Sequence, residues 1–350
     1  PIITRGLVGW FKSEPLGLFF GFLTLYLFVS GIKFNKGKIS FIKLILSSLF
    51  LALALSAWGG ILFFVVVIMM FYFVIPFIKN EKNFYIWAIP TLSISFFLFS
   101  LIFERSSALF IGKAGLNALS LVIILPTVFV FVSEIIKKFT KEKYHIRNCI
   151  IFLGSLVISG IAVISSGIIA GLPTFRYLNA VNPFLTSQDA LTDSVSEHTT
   201  TDLSTSFGFV SIFIIFALIG AWFLFSRKTI DIKIDKRIFA LIIAIMAFYL
   251  SSSFVRLEIF ASIGLIILGS IGLSLLFKKL FQSNIFTFTK LVFGGIIILL
   301  LLIPMTLPED RNWISWADFK PTIYNGGTYF SVVHNDWFHS MNWLKYNTPD

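Results

Sequence analysis

Ten mainly apolar stretches, separated by short polar segments, make up most of the chain. A helix needs roughly 20 apolar residues to cross a bilayer, and each stretch approaches that length. The predicted crossings are residues 15–32, 41–58, 61–78, 84–103, 115–136, 149–171, 209–225, 238–255, 259–277 and 291–307. The pattern therefore predicts an all-α polytopic membrane protein with about ten transmembrane helices.

Only Gly59 and Gly60 separate the second crossing from the third. One bent hydrophobic run is the alternative to two crossings. We prefer two crossings because the charges of the connecting segments then alternate in sign along the chain.

Composition supports a membrane protein. The chain is 57% hydrophobic and 13% charged and contains 43 Phe, whereas a soluble domain has roughly 25% charged residues. The net charge of +11 invites a nucleic-acid interpretation, but basic residues placed between apolar runs are the usual topology signal, so no nucleic-acid partner is expected. The single Cys149 excludes an internal disulfide framework and a thiolate metal site.

Basic residues concentrate in every second connecting segment. If the segment after the first crossing is cytoplasmic, 19 of the 28 Lys and Arg lie on that side, within 33–43, 79–82, 137–147, 227–237 and 278–290. Lys and Arg are retained in the cytoplasm during insertion. The N-terminus, the loop 172–208 and the C-terminal tail are therefore predicted to lie outside.

The loop 172–208 is the one long polar loop, and it carries Arg176, Glu197 and His198. The predicted topology places it on the same face as Glu14, which precedes the first crossing, and Arg256, which ends the eighth. Two carboxylates and a guanidinium from distant parts of the sequence can therefore meet at one outer interface. Aqueous chemistry on a membrane-held substrate is expected there.

The domain organisation follows from the same pattern. Residues 1–307 are predicted to form a transmembrane domain, and 308–350 an external juxtamembrane segment.

Several motifs carry a family resemblance. The loop contains Ser194, Val195, Ser196, Glu197 and His198 in succession, and this string resembles the Ser-Val-Ser-Glu-His motif of the catalytic subunit of oligosaccharyltransferase. In matching order, the chain has Ile-Thr-Arg-Gly-Leu-Val-Gly from residue 3, Ser-Ala-Trp-Gly-Gly from 56, Thr-Phe-Arg-Tyr-Leu from 174, Val-Arg-Leu from 255 and Asn-Trp-Leu-Lys from 342. The resemblance implies the type-C glycosyltransferase (GT-C) architecture, in a fragment that lacks N-terminal spans and the C-terminal soluble domain.

The resemblance also implies roles for individual residues. Glu197 and Glu14 would be catalytic carboxylates and ligands of Mg²⁺ or Mn²⁺, and Arg256 and Arg176 would bind the pyrophosphate of the donor. The four other motif residues would support Glu197; they are Ser194, Val195, Ser196 and His198. The chain departs from the family at Lys12, where the family's second acidic motif usually has a carboxylate, and this weakens Glu14 as a metal ligand.

The implied reaction is metal-dependent transfer of a preassembled oligosaccharide from a lipid pyrophosphate to asparagine. Its partners would be the lipid-linked donor, a protein with an Asn-x-Ser/Thr site, membrane lipid and accessory subunits of unknown identity. The enzyme would be a multi-pass protein of the cell membrane, or of the endoplasmic reticulum in a eukaryote. Its active site would face the external or luminal side.

Other interpretations stay open at this point. A GT-C transferase that moves one lipid-phosphate-linked sugar would have a related fold, and a transporter of lipid-linked glycans would also be polytopic. Glu197 can be a solvated loop acid, and Glu14 can stabilise the positive end of a helix dipole. Arg256 can be an interfacial anchor whose long side chain extends to water.

Overall fold

The computed structural model describes residues 13–32, 37–78, 82–112, 115–116, 118–165, 212–226, 234–284, 286–306, 314 and 335–348. Within them the α-helices are α1 (Ser13–Gly31), α2 (Gly37–Ala57), α3 (Leu62–Ile78), α4 (Lys82–Ser100), α5 (Glu104–Phe110), α6 (Ala118–Phe139), α7 (His145–Ser165), α8 (Phe213–Phe225), α9 (Ile234–Ser251), α10 (Glu258–Gln282), α11 (Thr287–Thr306) and α12 (Asn335–Asn347). Short 3₁₀ turns occupy Gly59–Ile61, Glu142–Tyr144 and Val255–Leu257. The one sheet in the described residues is a hairpin of β1 (Ile111–Gly112) and β2 (Gly115–Leu116).

The predicted all-α fold class is confirmed, and the described residues show how its apolar helices are arranged. Each predicted crossing coincides with a helix, yet among the described residues only seven helices are long and apolar enough to span a bilayer. The described part of the seventh crossing, α8, has 13 residues. The eighth, α9, begins with the charged residues Asp235, Lys236 and Arg237.

The fourth predicted crossing, 84–103, is not one straight helix. Helix α4 ends at Ser100, and α5 follows at an angle of 120°. If this bent pair counts as one span, the described residues contain eight. The fifth predicted crossing starts at Ala118 and not at Gly115, because Gly115 and Leu116 pair with β1.

Close packing between helices builds the bundle of unit one, Ser13–Ile303. Helix α1 packs along α2, where the buried Ser47 hydroxyl donates to Thr24 O at 3.0 Å. Helices α8 and α10 approach most closely at Gly220, where an added Cβ would lie 1.9 Å from Leu268 O. Small residues permit such backbone contacts in membrane bundles.

The second unit contains the described residues after Ile303, including α12. Helix α12 has exposed apolar side chains at Met341, Trp343 and Leu344. Its Asn347 side chain donates to Trp343 O at 2.8 Å, near the end of the helix.

The two ends of the bundle differ in their charges. At one end, Lys43 donates to Ser30 between α2 and α1, and Arg237 Nε donates to Leu224 O at 3.1 Å between α9 and α8. The same end of α6 holds a buried ion pair of Glu134 and Lys137, with 2.6 Å between oxygen and nitrogen. This is the end predicted to be cytoplasmic. The starts of α1, α3 and α10 lie at the opposite end, where the candidate site is found.

Candidate functional site

Glu14 lies in the first turn of α1 and is almost completely buried, with its side chain 4% exposed. The local sequence favours a helix start here, because Pro15 suits the first turn and an acid near the N-terminus interacts well with the helix dipole. A buried carboxylate needs charged or hydrogen-bonding partners, since its desolvation is costly. Glu14 is therefore a side chain that the fold holds in one place.

Arg256 supplies a partner for that carboxylate. It lies in the 3₁₀ turn Val255–Leu257 between α9 and α10, and its Nη2 atom is 3.5 Å from Glu14 Oε1. The Arg256 side chain is 43% exposed. One guanidinium nitrogen thus faces Glu14, while part of the side chain remains exposed. The topology predicted that Glu14 and Arg256 share a face, and the structure brings them into direct contact.

Glu258 adds a second carboxylate at this end. It is the first residue of α10 and is 6% exposed. Its position two residues after Arg256 places an acid and a base in consecutive turns, at the positive end of the α10 dipole.

The turn between α2 and α3 packs against both α1 and α10, the helices that begin at the site. Trp58 is buried, and its ring stacks on Phe260 of α10 with 5.6 Å between centroids and 20° between planes. A Cβ on Gly60 would lie 2.4 Å from Trp58 Cζ2, and one on Gly17 of α1 would lie 2.7 Å from Trp58 Cβ. Both glycines leave the space that the indole occupies. Trp58 is therefore wedged between α1, the turn and α10.

Arg105 is a residue at this end that the sequence did not single out. It lies in α5 just after the bend, and its Nη1 atom donates to Ala57 O at 3.2 Å. Ala57 is the last residue of α2, where helix carbonyls lack partners within the helix. The only sequence signal was a charged pair, Glu104 and Arg105, directly after an apolar run.

The remaining predicted site residues lie outside the described part of the chain. They are Arg176, Ser194, Val195, Ser196, Glu197 and His198. Among the described residues, no group of three or more His, Cys, Asp or Glu side chains is arranged to hold a metal ion. Glu14 is the one predicted metal ligand in the described part.

Comparison with known proteins identifies the fold. No protein-family model matches the chain. Its structure is similar to the crystal structure of the Archaeoglobus fulgidus oligosaccharyltransferase in the apo form, with a TM-score of 0.69 over 99% of this chain at 15% sequence identity. The chain spans 42% of the length of that protein. This likeness confirms the predicted GT-C membrane architecture.

Proposed function

We propose that this chain is the membrane part of an oligosaccharyltransferase, which transfers an oligosaccharide from a lipid diphosphate carrier to the side-chain amide of asparagine. The ion pair of Glu14 and Arg256, with 3.5 Å between its atoms, carries the proposal. It joins an acid and a base 242 residues apart at one end of a bundle with the fold of an oligosaccharyltransferase. The motif around Glu197 supports the same interpretation.

Arg256 would bind the leaving group of the donor. Transfer breaks the bond between the anomeric carbon of the sugar and a diphosphate oxygen, so negative charge grows on that oxygen. A guanidinium offers two parallel N–H donors to such an anion. Because the Arg256 side chain is 43% exposed, a phosphate can approach it while Glu14 holds its other side.

The carboxylates would act on the acceptor. An amide nitrogen is a poor nucleophile because its lone pair is delocalised into the carbonyl. Glu14 and Glu197 would accept hydrogen bonds from the two N–H groups of the amide. These hydrogen bonds would weaken the delocalisation, and one carboxylate would serve as the base for the proton that is lost. The nitrogen then forms the new bond to the anomeric carbon, and the lipid diphosphate leaves.

Metal dependence is part of the proposal. A divalent cation prefers several oxygen ligands, and Glu14 beside Arg256 supplies only one carboxylate. The other ligands would come from residues outside the described part, Glu197 among them. Bound there, Mg²⁺ or Mn²⁺ would hold the carboxylates and offset negative charge. We expect EDTA to abolish transfer and excess Mn²⁺ or Mg²⁺ to restore it.

The proposed partners follow from the reaction. They are a lipid-linked oligosaccharide, an acceptor protein with an Asn-x-Ser/Thr site, the lipids of the cell membrane and any accessory subunits. The charge bias of the connecting segments supports an external or luminal active site, because the end with Lys43, Lys137 and Arg237 carries the cytoplasmic signal.

An Arg256→Lys variant tests the donor site. Turnover of the intact protein is measured against the concentration of a lipid diphosphate-linked glycan. Lysine keeps the charge but loses the planar pair of donors, so we expect donor affinity or rate to fall by about 1–3 kcal/mol. Donor curves that match the wild type would assign Arg256 to membrane anchoring. Preference for a monophosphate-linked single sugar would favour the simpler GT-C transferase.

A further inference from the structure

Arg105 contacts both the end of α2 and the turn between α2 and α3. Its Nη1 atom donates to Ala57 O at 3.2 Å. Its Nη2 atom lies 3.2 Å from the position that a Cβ on Gly59 would occupy. One guanidinium thus caps the end of α2 and rests on the first glycine of the turn, in the space that the missing Gly59 side chain leaves.

The turn between α2 and α3 also contacts the start of α10, next to the 3₁₀ turn that carries Arg256. Trp58 lies between the two residues that Arg105 touches, and its ring stacks on Phe260 at 5.6 Å between centroids. Phe63, just after the turn, stacks on the same ring at 4.4 Å. Phe260 lies in the first turn of α10, directly after the 3₁₀ turn of Arg256.

We propose that Arg105 is a positioning residue for the donor site: it holds the turn at Trp58 and Gly59, which packs on Phe260 and keeps Arg256 placed to bind the lipid diphosphate. The inference rests on the proposed function. Arg105 does not need to contact the donor, because its contacts with Ala57 and Gly59 account for its orientation. Arg105 follows the bend between α4 and α5, and this bend brings its guanidinium to the end of α2.

The test measures binding of farnesyl diphosphate, a lipid diphosphate without a glycan, to the intact protein in detergent. The variants are Arg105→Ala, Arg105→Lys and Arg256→Ala, alone and with Arg105→Ala. The matched control is Arg147→Ala, an exposed arginine near the start of α7 that packs over Tyr144 at 4.6 Å, at the predicted cytoplasmic end. Thermal unfolding of each variant shows whether it is folded.

We expect Arg105→Ala to raise the Kd for farnesyl diphosphate about tenfold, the scale of one charge-assisted hydrogen bond. Arg105→Lys keeps one donor for Ala57 O and should recover most of that affinity. Arg147→Ala should bind as the wild type does. In the Arg256→Ala background, Arg105→Ala should cause little further loss, because it acts through Arg256.

Three outcomes would overturn the inference. They are wild-type affinity in folded Arg105→Ala, no recovery in Arg105→Lys, and full additivity with Arg256→Ala, which would mean that Arg105 acts independently of Arg256. If the wild-type protein itself binds no lipid diphosphate, the proposed function fails. If the wild type binds and Arg105→Ala binds equally well, only the positioning role fails.

Discussion

The contact between Glu14 and Arg256 is the feature of the site that can be tested most quantitatively. Its atoms are 3.5 Å apart, which corresponds to a gross Coulomb attraction of roughly 5 kcal/mol at an effective dielectric constant near 20. Water reduces this value because Arg256 is 43% exposed. Exposed pairs are worth about 0.2–1 kcal/mol, and removing one partner of a buried pair costs about 3–5 kcal/mol. We therefore expect a coupling energy of about 1–2 kcal/mol, between these limits.

A double-mutant cycle measures that coupling. Glu14→Gln, Arg256→Gln and the double variant are compared with the wild type by reversible unfolding with sodium dodecyl sulfate in mixed micelles. Glu14→Gln keeps the size of the side chain, Arg256→Gln shortens it, and each substitution removes one charge. The double variant should lose about 1–2 kcal/mol less free energy of unfolding than the sum of the single variants. Losses that add within about 0.5 kcal/mol would refute the ion pair.

Three further predictions concern packing, catalysis and topology. Gly220→Ala should destabilise the bundle by at least about 2 kcal/mol in the same unfolding assay, because the new Cβ would lie 1.9 Å from Leu268 O; a stable variant would contradict the close contact of α8 and α10. Glu197→Gln should reduce peptide glycosylation about 10²–10⁴-fold at matched expression, and near-normal rates would remove Glu197 from the catalytic group. Cysteines introduced in the loop 172–208 of intact cells should react with an impermeant maleimide, whereas labelling of the segment 137–147 from outside would reverse the predicted orientation.

Hydropathy predicted most of the fold because membrane helices are selected by apolar length, which a single sequence displays directly. It placed every crossing on a helix but missed the bend after Ser100. The residues at 101–103 continue the apolar run, so hydropathy gives no sign of the bend. Across it, the Ser106 hydroxyl is placed to donate to the carbonyl oxygens of Ser100 and Phe103. The charged residues Glu104 and Arg105 begin the next helix.

The site was predicted less completely than the fold. The alternation of charges placed Glu14 and Arg256 on one face, but sidedness alone does not give a distance between two side chains. Arg105 was missed for a different reason. Its hydrogen-bond partner is the backbone carbonyl of Ala57, 48 residues away, and a carbonyl leaves no signature in a sequence. The stacking of Trp58 on Phe260 likewise joins two residues that are far apart in the sequence, so no local sequence pattern predicts their contact.

The central claim is transfer of an oligosaccharide from a lipid diphosphate to asparagine. The most direct measurement incubates the intact protein in lipid vesicles with a lipid diphosphate-linked oligosaccharide, Mn²⁺ and two peptides that differ only in Asn-x-Thr or Gln-x-Thr, and follows the peptide mass. We expect the asparagine peptide alone to gain the mass of the whole glycan, with release of one lipid diphosphate for each glycan transferred. An unchanged peptide mass, or a glycan recovered on lipid or on a hydroxyl group, would contradict the account.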